Sequence, residues 1–157
     1  MGSPSVDPSL PYRRVQRARW PLLIMVPSSG LSLALGVFGS DVPWVVRSAA
    51  VAFALVLAWM AVTFTVLTVE VDGRIEVRFG GGWPRRSVSL DSVMAADTVR
   101  NRWWYGWGIR YMGAGWLWNV SGLDAVRLEL DTGRELRIGT DDPQGLLKAV
   151  RRACGLG

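Results

Sequence analysis

Two long stretches of this chain carry no charged residue, Trp20 to Ser40 and Ser48 to Val69. As α-helices rising about 1.5 Å per residue, either would reach roughly 30 Å, the thickness of a bilayer's hydrocarbon core. Only residues 41–47 separate them, so they must run antiparallel as a helical hairpin. Two buried helices of a water-soluble protein would need a partner surface that the rest of a 157-residue chain hardly supplies. The chain therefore reads as a membrane protein in three parts. A disordered basic segment spans residues 1–19, a transmembrane hairpin spans 20–65 (helices at about 20–40 and 44–65), and a folded domain spans 66–157.

The arginines set the expected orientation. Arg13, Arg14, Arg17 and Arg19 precede the first block and Arg47 lies between the two, while Arg74, Arg78, Arg85 and Arg86 follow the second. By the positive-inside rule the amino terminus and the carboxy-terminal domain both face the cytoplasm, in a multi-pass protein of the inner (plasma) membrane. The net charge of +5 does not point to nucleic acid, because from Glu70 onward 13 basic residues meet 11 acidic ones. The chain has no histidine and one cysteine, Cys154, which excludes a His-based triad, a His/Cys zinc site, a redox CxxC pair and an internal disulfide. No metal or cofactor is expected, and no nucleophile, base and orienting group can be assembled into an enzyme. A single lysine amid abundant Arg, Ala and Gly points to a GC-rich bacterial genome.

Small residues recur every four positions along both apolar blocks, at Ser28, Ser32 and Gly36 in the first and Ala50, Ala54 and Ala58 in the second. Such stripes let helix backbones approach closely where no hydrophobic effect drives association. They are expected to pack the hairpin together, or to dock a second copy or another membrane protein. Neither block holds a charge at mid-depth, which argues against an ion path.

From about Leu67 apolar and polar residues alternate, and the pattern recurs in short segments with turn residues between them. Asp72-Gly73-Arg74 and Thr132-Gly133-Arg134 read as three-residue loops that set Val71 opposite Ile75 and Leu130 opposite Leu136. Gly113-Ala114 reads as a two-residue turn pairing Tyr111 with Trp116, Ile109 with Trp118 and Trp107 with Val120. Asp141-Asp142-Pro143 places a cap before a helix whose apolar residues Leu146, Leu147, Val150 and Ala153 form one face, and Gly155 ends it. The fold class is α+β: a helical hairpin, then a small antiparallel sheet or partly open barrel capped by one terminal helix.

Strand hairpins ending in one amphipathic helix, behind a transmembrane hairpin, resemble the bacterial PH-like domain membrane proteins. The segments that carry the likeness are Arg85 to Val93, Gly106-Trp107-Gly108-Ile109-Arg110-Tyr111, Asn119-Val120-Ser121-Gly122, Val126-Arg127-Leu128, Gly133-Arg134 and Ile138 to Pro143. Together they cover about residues 65–154. The resemblance implies a helix-capped, partly open β-barrel tethered to the membrane, a fold that hosts lipid, peptide and protein binding.

The aromatic run Trp103, Trp104, Tyr105, Trp107, Tyr111, Trp116 and Trp118 is the chief anomaly. Alternation sends Trp107, Trp116 and Trp118 to one face, where core packing accounts for them. Adjacent Trp103 and Trp104 cannot both point inward, so one is expected at a membrane interface or in a ligand groove. Arg74, Arg78, Arg85 and Arg86 are expected as one cluster where the first strand leaves the membrane, placed for anionic headgroups but diluted by Glu70, Asp72 and Glu76. Arg110, flanked by Trp107 and Tyr111, is a candidate for a cation–π contact or an anion site. The expected activity is that of a membrane-anchored binding or scaffolding module that contacts lipid headgroups or a membrane protein partner through Arg74, Arg78, Arg85, Arg86, Trp103, Trp104 and Arg110. The alternative is an accessory or assembly subunit of a larger membrane complex, docking through its small-residue helix faces.

Overall fold

The computed structural model describes residues 11–156 and builds them from three helices and nine strands. Strand β1 (Tyr12–Arg17) leads into helix α1 (Trp20–Phe38) and helix α2 (Trp44–Thr63). Strands β2 (Val66–Val71), β3 (Arg74–Phe79), β4 (Arg85–Ser89), β5 (Val93–Arg100), β6 (Gly108–Tyr111), β7 (Gly115–Asn119), β8 (Asp124–Leu130) and β9 (Glu135–Gly139) follow, and helix α3 (Pro143–Cys154) closes the chain.

The two long helices are held by the expected kind of contact, in a shifted register. At Gly36 an added Cβ would lie 2.6 Å from Val51 Cγ2 and 2.9 Å from the Arg47 carbonyl oxygen, so glycine is what permits the crossing. Ser29 Oγ donates to the Ala54 carbonyl at 2.9 Å, and Ala54 is buried. Ser32 and Ala50 are half-buried along the same seam, but Ser28 and Ala58 face outward. Ser28 Oγ bonds within its own helix, to the Ile24 carbonyl. A strict four-residue step overshoots the 3.6-residue turn, so such a stripe winds off the contact face within three repeats. The seam in α1 instead follows Pro21, Met25, Ser29, Ser32 and Gly36. Both helices are long and apolar enough to cross a membrane, and only 11% of the apolar stretch of each is buried within the molecule.

The strands form two sheets, ordered β1-β2-β3-β4 and β5-β8-β9-β7-β6. All neighbours are antiparallel except β7 and β9, which run parallel because the β8–β9 hairpin folds back to place β9 beside β7. A purely antiparallel sheet was the expectation, and this pair departs from it. The inner faces meet through Leu67, Val69, Ile75, Val77 and Phe79 from one sheet and Trp118, Val126, Leu128, Leu136 and Ile138 from the other. Phe79 stacks on Trp118 across the gap at 5.7 Å. Helix α3 adds Leu146, Leu147 and Val150 to this core. Asp142 caps it by accepting from the Gly145 N–H at 3.0 Å, and Gly155 ends it in the left-handed conformation.

Two of the three expected turn registers are present, with Val71 opposite Ile75, Tyr111 opposite Trp116 and Ile109 opposite Trp118. In the β8–β9 hairpin Leu136 faces Leu128, not Leu130. A two-residue slip leaves every side chain on its own face, so alternation cannot distinguish the two pairings, whereas Leu128 and Leu136 are both fully buried.

The largest departure is β1. Residues 13–19 were expected within a disordered segment, yet β1 pairs with β2 along its whole length, from Tyr12 opposite Val71 to Arg17 opposite Val66. Residues 1–10 lie outside the described residues. The β1 residues on the core side of the sheet are polar and reach across the domain: buried Gln16 donates from Nε2 to the Gly139 carbonyl at 2.8 Å, exposed Arg14 makes a two-pronged pair with Asp141 at 3.0 Å, and Tyr12 donates to Asp142. The Arg14 guanidinium, through its hydrogen bonds, holds the Asp141 carboxyl below its ordinary range. Burial, and then the Asp142 carboxylate, push the Tyr12 hydroxyl up to about 12.

The Asp141 pair therefore stabilises the docked strand above the ordinary carboxylate range and is lost as pH falls through the lowered value; the neutral Tyr12 contact is intact below about pH 10 and is lost as pH rises toward 12. Between pH 10 and 12 the melting temperature of the wild type should fall more steeply than that of Tyr12→Phe, and parallel curves would remove Tyr12 from the latch. Deleting residues 1–17 strips β2 of its outer ladder and should lower the melting temperature of the detergent-solubilised chain by about 10 °C or more, read by near-ultraviolet circular dichroism. A deletion that melts with the full chain would make β1 dispensable.

Candidate functional site at the helix–sheet junction

Because β1 precedes the helical hairpin and β2 follows it, their pairing brings both ends of the hairpin to one edge of the β domain. The Ala18 N–H donates to the Thr65 carbonyl at 2.8 Å and closes this junction. The ends of β5, β7 and β9 and the starts of β6 and β8 lie on the same side, as their register requires.

Tryptophans from separate segments converge there. Trp20, in the first turn of α1, donates its Nε1–H to the Val120 carbonyl at 2.8 Å and stacks on Trp107 at 5.2 Å. Trp59, near the end of α2, lies against Trp83 of the β3–β4 turn at 5.8 Å. Phe64 meets Phe79 at 4.9 Å between these two pairs. Beyond Trp107, a short 3-10 turn over Trp103–Tyr105 sets Trp103 edge-on to Trp104 at 5.8 Å, with the Arg102 guanidinium 5.0 Å from the Trp104 ring centre. Apart from Trp20, these indoles are largely exposed, Trp103 to 76% and Trp104 to 53%. An exposed cluster of indoles is unusual, since each leaves a large apolar area uncovered.

The structure redistributes the residues expected here. Of the three tryptophans assigned to the core, only Trp118 is buried, whereas Trp107 turns to Trp20 and Trp116 sits half out beside Tyr111. The cation–π partner is Arg102 on Trp104, not Arg110, whose guanidinium folds back toward Gly106. The four arginines expected together are separated. Arg74 begins β3 at the opposite end of the sheet, opposite Ser89, roughly five residues or about 17 Å from the junction. Arg86 shares the core-facing side with Val77 and Val88 and is half-buried. Arg78 and Arg85 lie opposite each other on the outer face, near the junction. Arg13, outside the expected set, joins them: its Nε meets Glu70 at 2.9 Å, and Arg78 Nη2 meets the same carboxylate at 2.7 Å.

Trp59 and Trp83 were also outside the expected set, although a tryptophan near the end of an apolar block and another after a glycine turn carry a recognisable signal for an apolar–polar boundary. Among the described residues no three or more His, Cys, Asp or Glu side chains come close enough to hold a metal ion. No protein-family model matches the chain, and no curated protein matches its sequence.

Proposed function

We propose that the chain is a multi-pass protein of the bacterial inner membrane whose PH-like β domain is seated on the cytoplasmic leaflet and serves as a binding or scaffolding module, not as a catalyst. The observation that carries this reading is the junction itself. Indoles from α1, α2, the β3–β4 turn and the segment before β6 gather at one level, where two lipid-compatible helices meet a water-compatible domain. An indole is amphipathic and favours the headgroup region, which gives a ring of exposed tryptophans a physical use at that depth. The β1–β2 ladder supports the topology independently of charge, because an N-terminal strand bonded to the domain must lie on the domain's side of any membrane the hairpin crosses.

The rival reading, an accessory subunit docking through small helix residues, receives less support. Gly36, Ser29 and Ala54 are engaged within the hairpin, which leaves chiefly aliphatic side chains on its outer surface. The domain's own surface is then the better candidate for contact with headgroups or a membrane-bound partner.

The full chain, expressed in bacteria, should remain in the membrane pellet after alkaline extraction. Its tryptophan fluorescence in vesicles should be quenched by lipids brominated near the glycerol end of the acyl chain. Replacing Trp103 and Trp104 together with Ala should remove a substantial part of that quenching and cost little stability, about 1 kcal/mol or less, as both are exposed. Extraction at alkaline pH, or quenching indifferent to these two residues, would refute the seated-domain reading.

A further inference from the structure

On the outer face of the first sheet, next to the end of α2, lies a polar groove of about 320 Å³. Its walls are Arg13, Arg78 and Arg85 with Thr68 and Glu76, and its rim is the turn Gly80-Gly81-Gly82. Arg78 and Arg85 face each other directly across β3 and β4, a like-charge pairing that destabilises a sheet unless something offsets it. For Arg78 the offset is visible, in Glu70 at 2.7 Å and Glu76 at 3.4 Å. Arg85 meets no carboxylate among the described residues. Three guanidiniums against Glu70 and Glu76 leave the groove one positive charge in excess.

The rim has its own irregularity. Gly80 is explained by the fold, since its φ is positive and an added Cβ would lie 3.0 Å from the Thr63 carbonyl oxygen. Gly81 is not: its φ is ordinary and a Cβ there would meet nothing within 4 Å. A glycine that neither backbone nor packing requires leaves its peptide open to close approach by a ligand. The groove's depth is fixed by the same turn, because Gly80 abuts the last residue of α2 and the next residue after the rim, Trp83, lies against Trp59.

We propose that this groove holds the phosphodiester of an anionic glycerophospholipid, with Arg85 as its principal charged contact and the Gly81 peptide at its rim. One excess positive charge matches the single negative charge of a phosphodiester better than a doubly charged phosphomonoester. The inference rests on the membrane-seated reading above, which sets the groove at headgroup level. Guanidinium groups suit this role because their planar donors match phosphate oxygens in pairs.

The full chain should be reconstituted in phosphatidylcholine vesicles with increasing phosphatidylglycerol brominated on its acyl chains, with tryptophan quenching followed. Half-maximal quenching is expected at a lower mole fraction than with brominated phosphatidylcholine, and Arg85→Gln should raise that fraction about fivefold. Arg74→Gln, at the far end of β3, should leave it unchanged. Equal behaviour of wild type and Arg85→Gln, or an equal loss in Arg74→Gln, would overturn the proposal. Inorganic phosphate at about ten millimolar should not relieve the quenching; relief that depends on Arg85 would assign the groove to a soluble anion and overturn the lipid source. Alkaline extraction separates the two levels of the argument. A chain that stays inserted while its quenching ignores Arg85 defeats the groove alone, and a chain that is extracted defeats the membrane reading with it.

Discussion

The ladder between β1 and β2 is the constraint from which the rest of the architecture follows. A helical hairpin inserted between two adjacent strands must leave and re-enter the domain at neighbouring points, and the Ala18 to Thr65 hydrogen bond marks where it does so. That closure decides which loops face the helices and which lie at the far end. The turns at 72–73, 113–114 and 131–133 are carried away from the hairpin, whereas the tryptophan-bearing segments and the glycine turn are carried toward it. The ladder also makes the domain discontinuous in sequence, since its first sheet is incomplete without a strand made before either helix.

Trp20 ties this geometry to the site. It is the first residue of α1, so its indole is placed by the strand behind it and the helix ahead of it, and it spends its one donor on the Val120 carbonyl while its face stacks on Trp107. The second sheet is thereby anchored to the first helix through a polar and an apolar contact at once. Trp59 and Trp83 do the same for the second helix and the first sheet without a hydrogen bond. A chain of rings, Phe64 tilted against Phe79 and Phe79 stacked on Trp118, passes from the end of the second helix into the core between the sheets. The domain is thus held at both helix ends, beside its exposed indoles.

How much of this could be read in advance depended on whether polarity followed periodicity. The helical hairpin was legible from its uncharged length, the Tyr111–Trp116 pairing from its glycine turn and the Asp142 cap from the proline after it, while strands β2 and β3 obey the simple rule of apolar side chains inward. β1 breaks it, because the residues on its core side are Tyr12, Arg14 and Gln16, of which only Gln16 is buried, and they find partners more than a hundred residues away. β5 breaks it differently: a bulge between Val93 and Ala95 exposes Met94 and leaves no clean alternation to detect. The arginines were legible as charge and illegible as a cluster, since neighbours in sequence within a strand lie on opposite faces. Arg85 and Arg86 were joined by adjacency and are parted by the pleat. Arg13 reaches the groove only through the ladder that periodicity could not reveal.

Arg47 refines the use of charge as a guide to orientation. It is the lone basic residue between the apolar blocks, and it donates to the Gly36 and Val37 carbonyls at 2.9 Å each, satisfying orphan acceptors at the end of α1 and complementing the negative end of that helix. Its presence on the far side of the hairpin therefore has a structural cause. On the near side Arg13 and Arg14 pair with Glu70 and Asp141, yet those partners are synthesised after the hairpin and cannot neutralise them while it is being inserted. In the proposed topology the four N-terminal arginines act first as unpaired charges that hold the amino terminus in the cytoplasm. In that topology Arg13, Arg14 and Arg17 then enter the β1–β2 ladder, and the ion pairs of Arg13 and Arg14 add to it on the same side. Charge in that topology sets the direction early, and the β1–β2 hydrogen bonds hold it.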